Sequence, residues 1–187
     1  ESFVKDYLHG KVGMKKILIG HDHMFGRNRQ GNEDLLRRLG DELDFGIEKI
    51  GPYQEGDTVI SSSKIRNAVQ NHEVEYANKM LGYNFFVCGK VVRGDGRGRE
   101  LGVPTANIKP QEDHKLMPGN GVYFVRSEIR GKQYYGMSNI GFRPTFKDEH
   151  ELVLEVNYFD FDKDIYDEIV AVEFLKFIRD EKKFSGP

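Results

Sequence analysis

A change of hydrophobic periodicity at Gly82 limits what this chain can fold into more than any other feature. Before Gly82, apolar residues recur at helical spacing between short extended runs; after it they alternate with a period of two. In the first part an amphipathic start (Phe3, Val4, Tyr7, Leu8) leads to a buried-strand run at 17–19 that ends at Gly20. Leu35, Leu36, Leu39 and Leu43 then mark one face of a helix. Ser61, Ser62 and Ser63 offer N-caps to a last long helix carrying Ile65, Ala68, Val69, Tyr76, Ala77 and Met80, with Gly82 as its stop. Strand, loop and helix in succession are α/β logic. In the second part, 85–88, 122–125, 133–140, 152–158 and 169–174 read as strands between Gly, Pro or charged turns. Several short strands with little helical signal favour a small closed barrel, which leaves no sheet edge exposed. The expected domains are therefore 1–82 and 83–187.

Charge narrows the partners. The 28 Lys and Arg against 30 Asp and Glu leave a net charge of −2, which disfavours a globally basic nucleic-acid binder. Between 148 and 173 stand ten acidic side chains against Lys163, a solvated face that repels a phosphate backbone. No nucleic-acid partner is expected. Cys88, the single cysteine, makes neither an internal disulfide nor a multi-cysteine metal site, so a reducing, cytoplasmic setting is the expectation. The apolar runs are too short to span a bilayer and the start does not read as a secretory signal, so no membrane is expected. The chain has no initiator Met and stops at KKFSGP, which reads as a piece of a longer protein.

The densest chemical signal is 93–107, RGDGRGRELGVPTAN. Gly94, Gly96, Gly98 and Gly102 remove side chains where backbone amides could approach phosphate oxygens, with Arg93, Arg97 and Arg99 adding positive charge. No Gly-Lys-Ser/Thr follows, so this is not the standard phosphate loop, and a flexible turn has the same composition. Thr105 and Asn107 lie two apart and so share one side of an extended segment. Both are neutral oxygen donors suited to a Mg²⁺ that binds mainly through nucleotide phosphates. Their commoner use is to satisfy local backbone groups in a Pro-led turn. Glu155 sits in an alternating strand with Val153 and Asn157 on its face; by pattern alone it is an exposed strand glutamate.

These residues resemble the signature of riboflavin kinases. The likeness begins at 94–107 and continues through Pro118, Gly121-Val122-Tyr123, the block 139–146 (NIGFRPTF), Leu154-Glu155-Val156-Asn157, Ile165-Tyr166 and 179–184 (RDEKKF). The resemblance implies a six-stranded Greek-key barrel that phosphorylates the ribityl 5′-hydroxyl of riboflavin with ATP and a divalent cation. On it, Gly94, Gly96, Arg97, Gly98 and Gly102 enclose ATP phosphates, Thr105 and Asn107 hold Mg²⁺, and Glu155 is the general base. Two positions depart from the pattern. Asn157 stands where the family often has His, and Asp167 where it usually has Gly.

The first part resembles the FMN adenylyltransferase domain that precedes riboflavin kinase in bacterial bifunctional enzymes. The segment 20–31 (GHDHMFGRNRQG) is similar to its flavin-side loop, and 60–66 (ISSSKIR) to the final motif of that nucleotidyltransferase superfamily. That places Asp22, Phe25, Ser62, Ser63 and Arg66 in an adenylylation site, where helix-start amides, hydroxyls and an arginine grip triphosphate. The three neighbours His21-Asp22-His23 are poorly disposed to converge on one ion. The superfamily's His-x-Gly-His turn is missing from the sequence. The expectation is an α/β remnant of a Rossmann-like domain followed by a kinase barrel without its C-terminal helix. Such a chain forms FMN and ADP from riboflavin and ATP, and leaves conversion to FAD to a complete enzyme. The alternative is a barrel that binds flavin or nucleotide without turnover.

Overall fold

Helical spacing and strand alternation both contribute to two units, one α/β and one a barrel led by two helices. The computed structural model describes residues 1–56, 58–94, 104–112, 114–144 and 150–181, which divide into Glu1–Ile60 and Ser61–Pro187. The first unit runs from a short wide helix, Phe3–His9, through strand β1 (Lys16–Gly20) and helix α1 (Glu33–Leu43) to β2 (Gly46–Ile50). β1 and β2 pair in parallel across α1, a βαβ turn, and the small hairpin β3 (Gln54–Glu55) and β4 (Thr58–Val59) follows. Asn32 caps α1 by accepting the Leu35 amide at 3.0 Å. Leu36 and Leu39 fill the core with Val4, Ile19 and Phe45. The run 17–19 does not behave as a fully buried strand. Ile17 and Ile19 join the core while Leu18 is exposed, as expected when one face of a strand is covered.

The second unit opens with two helices rather than the one long helix expected, α2 (Ser62–Gln70) and α3 (Val74–Leu81). Ser61 caps α2, accepting the Lys64 amide at 3.3 Å. The break falls at His72, whose φ of 69° is left-handed, and the Glu73 amide returns to Ala68 O at 2.9 Å in a helix-ending turn. The His72 ring then stacks on Phe177 at 4.4 Å, a contact that helical spacing could not reveal. Gly82 stops α3 as expected, at φ 74°.

Six antiparallel strands follow: β5 (Phe86–Val92), β6 (Ala106–Pro110), β7 (Gly121–Ile129), β8 (Lys132–Pro144), β9 (His150–Tyr158) and β10 (Ile169–Arg179). They close in the order β10-β5-β6-β9-β8-β7. The meander β7-β8-β9 has β6 beside β9, which is Greek-key connectivity. Inside, Tyr123, Val125, Val156, Val172 and Phe174 are fully buried. The Tyr158 hydroxyl donates to Ser127 Oγ at 2.8 Å, and burial pushes this phenol up to about 12. The Tyr123 hydroxyl donates to Gly119 O, and burial raises that phenol further. Both stay protonated at neutral pH.

The helices group with the barrel rather than with the first 60 residues, so the compact-unit division lies ahead of the change in periodicity at Gly82. Asn78 of α3 joins helix to barrel. Its Oδ1 accepts the Phe85 amide at 2.7 Å and its Nδ2 donates to Phe174 O at 2.8 Å. Asn78→Ala strands both backbone groups in a partly buried setting. We expect a loss of about 2–3 kcal/mol, read as a lower urea midpoint at unchanged m.

Candidate functional site

The Pro-Thr-Ala-Asn segment enters the barrel wall as β6, the strand that hydrophobic pattern alone does not mark. Its register places it beside the glutamate: Ala106 pairs with Val156, Asn107 with Glu155 and Ile108 with Leu154. On its other side Glu155 pairs with Asn139 of β8. Leu154, Val156 and Tyr158 point inward, so Val153, Glu155 and Asn157 stand on the outer face. Asn107, Glu155 and Asn139 thus form a row across three neighbouring strands, at the roughly 5 Å spacing of directly opposed residues.

The chain around this row is arranged to fit it. Asn107 is only 9% exposed although it lies on the outer face. Gly94 lies against its amide, in the place where any side-chain carbon would overlap it. The Asn157 amide donates to Pro104 O at 2.8 Å. Asn139 Nδ2 reaches Glu181 Oε1 at 3.4 Å, and Gly141 packs against the same carboxylate. At the end of β5 the Arg93 guanidinium lies 5.4 Å from the Tyr166 ring. Asp167 adopts φ 66°, the region glycine favours, so the turn survives without the glycine. Its amide donates to Val91 O at 2.9 Å, and the Lys90 ammonium, hydrogen-bonded to it at 2.7 Å, holds its carboxyl below the usual carboxylate range.

Of the residues singled out in the sequence, Asn107 and Glu155 pair across strands and Gly94 packs against Asn107, while Thr105 directly precedes β6. Gly96, Arg97, Gly98 and Gly102 lie outside the described residues. Asn157, set on the face of Glu155 by alternation, joins the Asn107–Glu155 pair through Pro104 O, and Asn139 and Glu181 are neighbours to which the sequence assigned no role. The pairings across strands carry no local signal.

The residues expected from the sequence to serve adenylylation fall in both units. Asp22 is exposed, with its carboxylate 3.9 Å from His21 Nδ1. Phe25 and Gly31 close the following loop through paired backbone hydrogen bonds of 2.9 and 2.8 Å, with Gly26 at φ 76°. Ser62, Ser63 and Arg66 belong to the second unit, on the first turns of α2, where Arg66 Nη2 donates to Ser63 Oγ at 3.4 Å. Among the described residues no three His, Cys, Asp or Glu side chains converge as a metal cage. No described helix is long and apolar enough to cross a membrane.

Residues 81–187 match the family model for riboflavin kinase, and residues 1–64 that for FAD synthetase. The bifunctional riboflavin kinase/FMN adenylyltransferase of Bacillus subtilis is 38% identical over 190 residues, covering 100% of this chain and 58% of that protein. The protein of the same name from Escherichia coli strain K12 is 35% identical, covering 100% of this chain and 59% of its own length. The chain thus spans less than two thirds of these relatives. A crystal structure described as a macrolide-efflux protein from Streptococcus pneumoniae superposes with a TM-score of 0.84 at 38% identity, over 98% of this chain and 58% of that one.

Proposed function

The chain belongs to the riboflavin kinase family, and from that membership we propose that it transfers the γ-phosphoryl group of ATP to the 5′-hydroxyl of riboflavin. The observation that carries the reading is the pairing of Asn107 with Glu155 on the outer barrel wall, with Gly94 folded against Asn107. A primary alcohol is a poor nucleophile at neutral pH, so a carboxylate within reach accepts its proton as attack proceeds. Glu155 has that role. The new bond joins the ribityl oxygen to phosphorus, the bond from phosphorus to the bridging oxygen breaks, and ADP leaves.

The remaining demand is positioning and charge neutralisation. The Thr105 hydroxyl and the Asn107 carbonyl are hard, neutral oxygen donors, and they fit a Mg²⁺ that takes its negative ligands from nucleotide phosphates. When bound, that ion neutralises charge developing on the phosphoryl oxygens. Thr105 and Asn107 would hold it beside the strand that carries Glu155. The glycine-rich residues 94–102 are assigned to the ATP phosphates by the family resemblance, and the proposed setting is cytoplasmic, where riboflavin and ATP are available.

The match of residues 1–64 to FAD synthetase accords with a flavin-side role for Asp22 and Phe25 and, separately, a triphosphate-side role for Ser62, Ser63 and Arg66. The kinase reading requires FMN as the product, and the proposal restricts this chain to that one activity. Incubation with riboflavin, ATP and Mg²⁺, followed by chromatography of the flavins, tests this directly. FMN alone supports the reading. FAD overturns the restriction to one activity, and quenching of flavin fluorescence without turnover reduces the chain to a binding barrel.

A further inference from the structure

We propose that Asn157 is a positioning residue that clamps the Thr105–Asn107 segment to the strand carrying Glu155. The inference deepens the kinase reading and rests on it for its functional consequence, while its structural half stands alone.

The clamp sits where the described main-chain ladder between β6 and β9 ends. β6 and β9 pair from Ile108↔Leu154 to Ala106↔Val156, and among the described residues no pair precedes Ala106. Pro104 has no amide hydrogen, so the incoming chain cannot extend the ladder with a donor there. Continuing the register puts Thr105 at the level of Asn157. There the side chain takes over, with Asn157 Nδ2 donating to Pro104 O at 2.8 Å. This one hydrogen bond holds the residue immediately before Thr105.

Position gives the bond its consequence. Asn157 lies two residues from Glu155 on the same outer face. Fixing Pro104 to Asn157 therefore fixes Thr105 relative to Glu155, with no atom of Asn157 needed at the reacting groups. Without the clamp, the segment is anchored first at Ala106, and Thr105 must be ordered each time Mg·ATP binds. A histidine can make the same bond, because a neutral imidazole keeps one N–H donor. An aspartate of nearly the same shape cannot, because an ionised carboxylate has no donor and faces a carbonyl oxygen.

The test compares Asn157→Asp and Asn157→His with the wild-type chain. Asn157→Asp should raise the KM for Mg·ATP about three- to tenfold, the equivalent of one lost hydrogen bond, with kcat held within about twofold. Amide exchange of residues 105–108 in the ligand-free protein should speed up by a similar factor. Asn157→His should restore both. Unchanged exchange and unchanged KM in Asn157→Asp would overturn the proposal, as would failure of Asn157→His to rescue a variant defect. The exchange measurement needs no turnover. If the wild-type chain makes no FMN, the kinase reading falls while exchange alone still decides for or against the clamp.

Discussion

Glu155→Gln is expected to cut the rate of FMN formation by about 10²–10⁴-fold, the range that a positioned general base contributes. The substitution preserves shape and hydrogen-bonding capacity and removes the proton acceptor. Its neighbours on both sides, Asn107 and Asn139, stand opposite amide in place of carboxylate, which each can meet by turning its own amide. Leu154 and Val156, which hold the strand, point inward and are untouched. The melting temperature and riboflavin affinity should therefore match the wild type, and the loss should fall on kcat. Wild-type amounts of FMN from Glu155→Gln would remove Glu155 from the base role.

The barrel was legible because its interior is apolar and its strands alternate. The parts that were not legible share one physical cause. β6 contains Asn107, Lys109 and Pro110, residues poor in strand propensity, so only the resemblance to riboflavin kinases implied the sixth strand. It is recruited by partners distant in sequence, Val92 on one side and Glu155 on the other. The helix expected from 61 to 82 is interrupted at His72 because its ring finds Phe177 of β10, a tertiary contact outweighing local propensity. The site followed the same pattern. Thr105, Asn107 and Glu155 were visible as residue types, but what ties them together is a cross-strand register and the Asn157 bond to Pro104. Neither is written in any short window of sequence.

Gly94→Ala should impair Mg·ATP use about as much as Asn107→Ala does, roughly 10–100-fold in KM, the range seen when a metal ligand loses an outer partner. The two changes act on one atom group from opposite sides. Removing the Asn107 amide deletes a donor oxygen outright. Adding a methyl at Gly94 places a carbon where the Asn107 Cγ, Oδ1 and Nδ2 now sit, so that amide must swing away from the row it forms with Glu155. The backbone at Gly94 lies outside the left-handed region, so alanine brings no backbone strain there and its clash falls on the Asn107 side chain. Thr105→Ala should likewise weaken Mg·ATP use more than riboflavin binding; the reverse order would overturn the metal assignment. The decisive measurement is the Gly94→Ala/Asn107→Ala double variant. Because both substitutions remove the same interaction, the double should be no worse than the worse single, whereas additive losses would mean that Gly94 acts elsewhere.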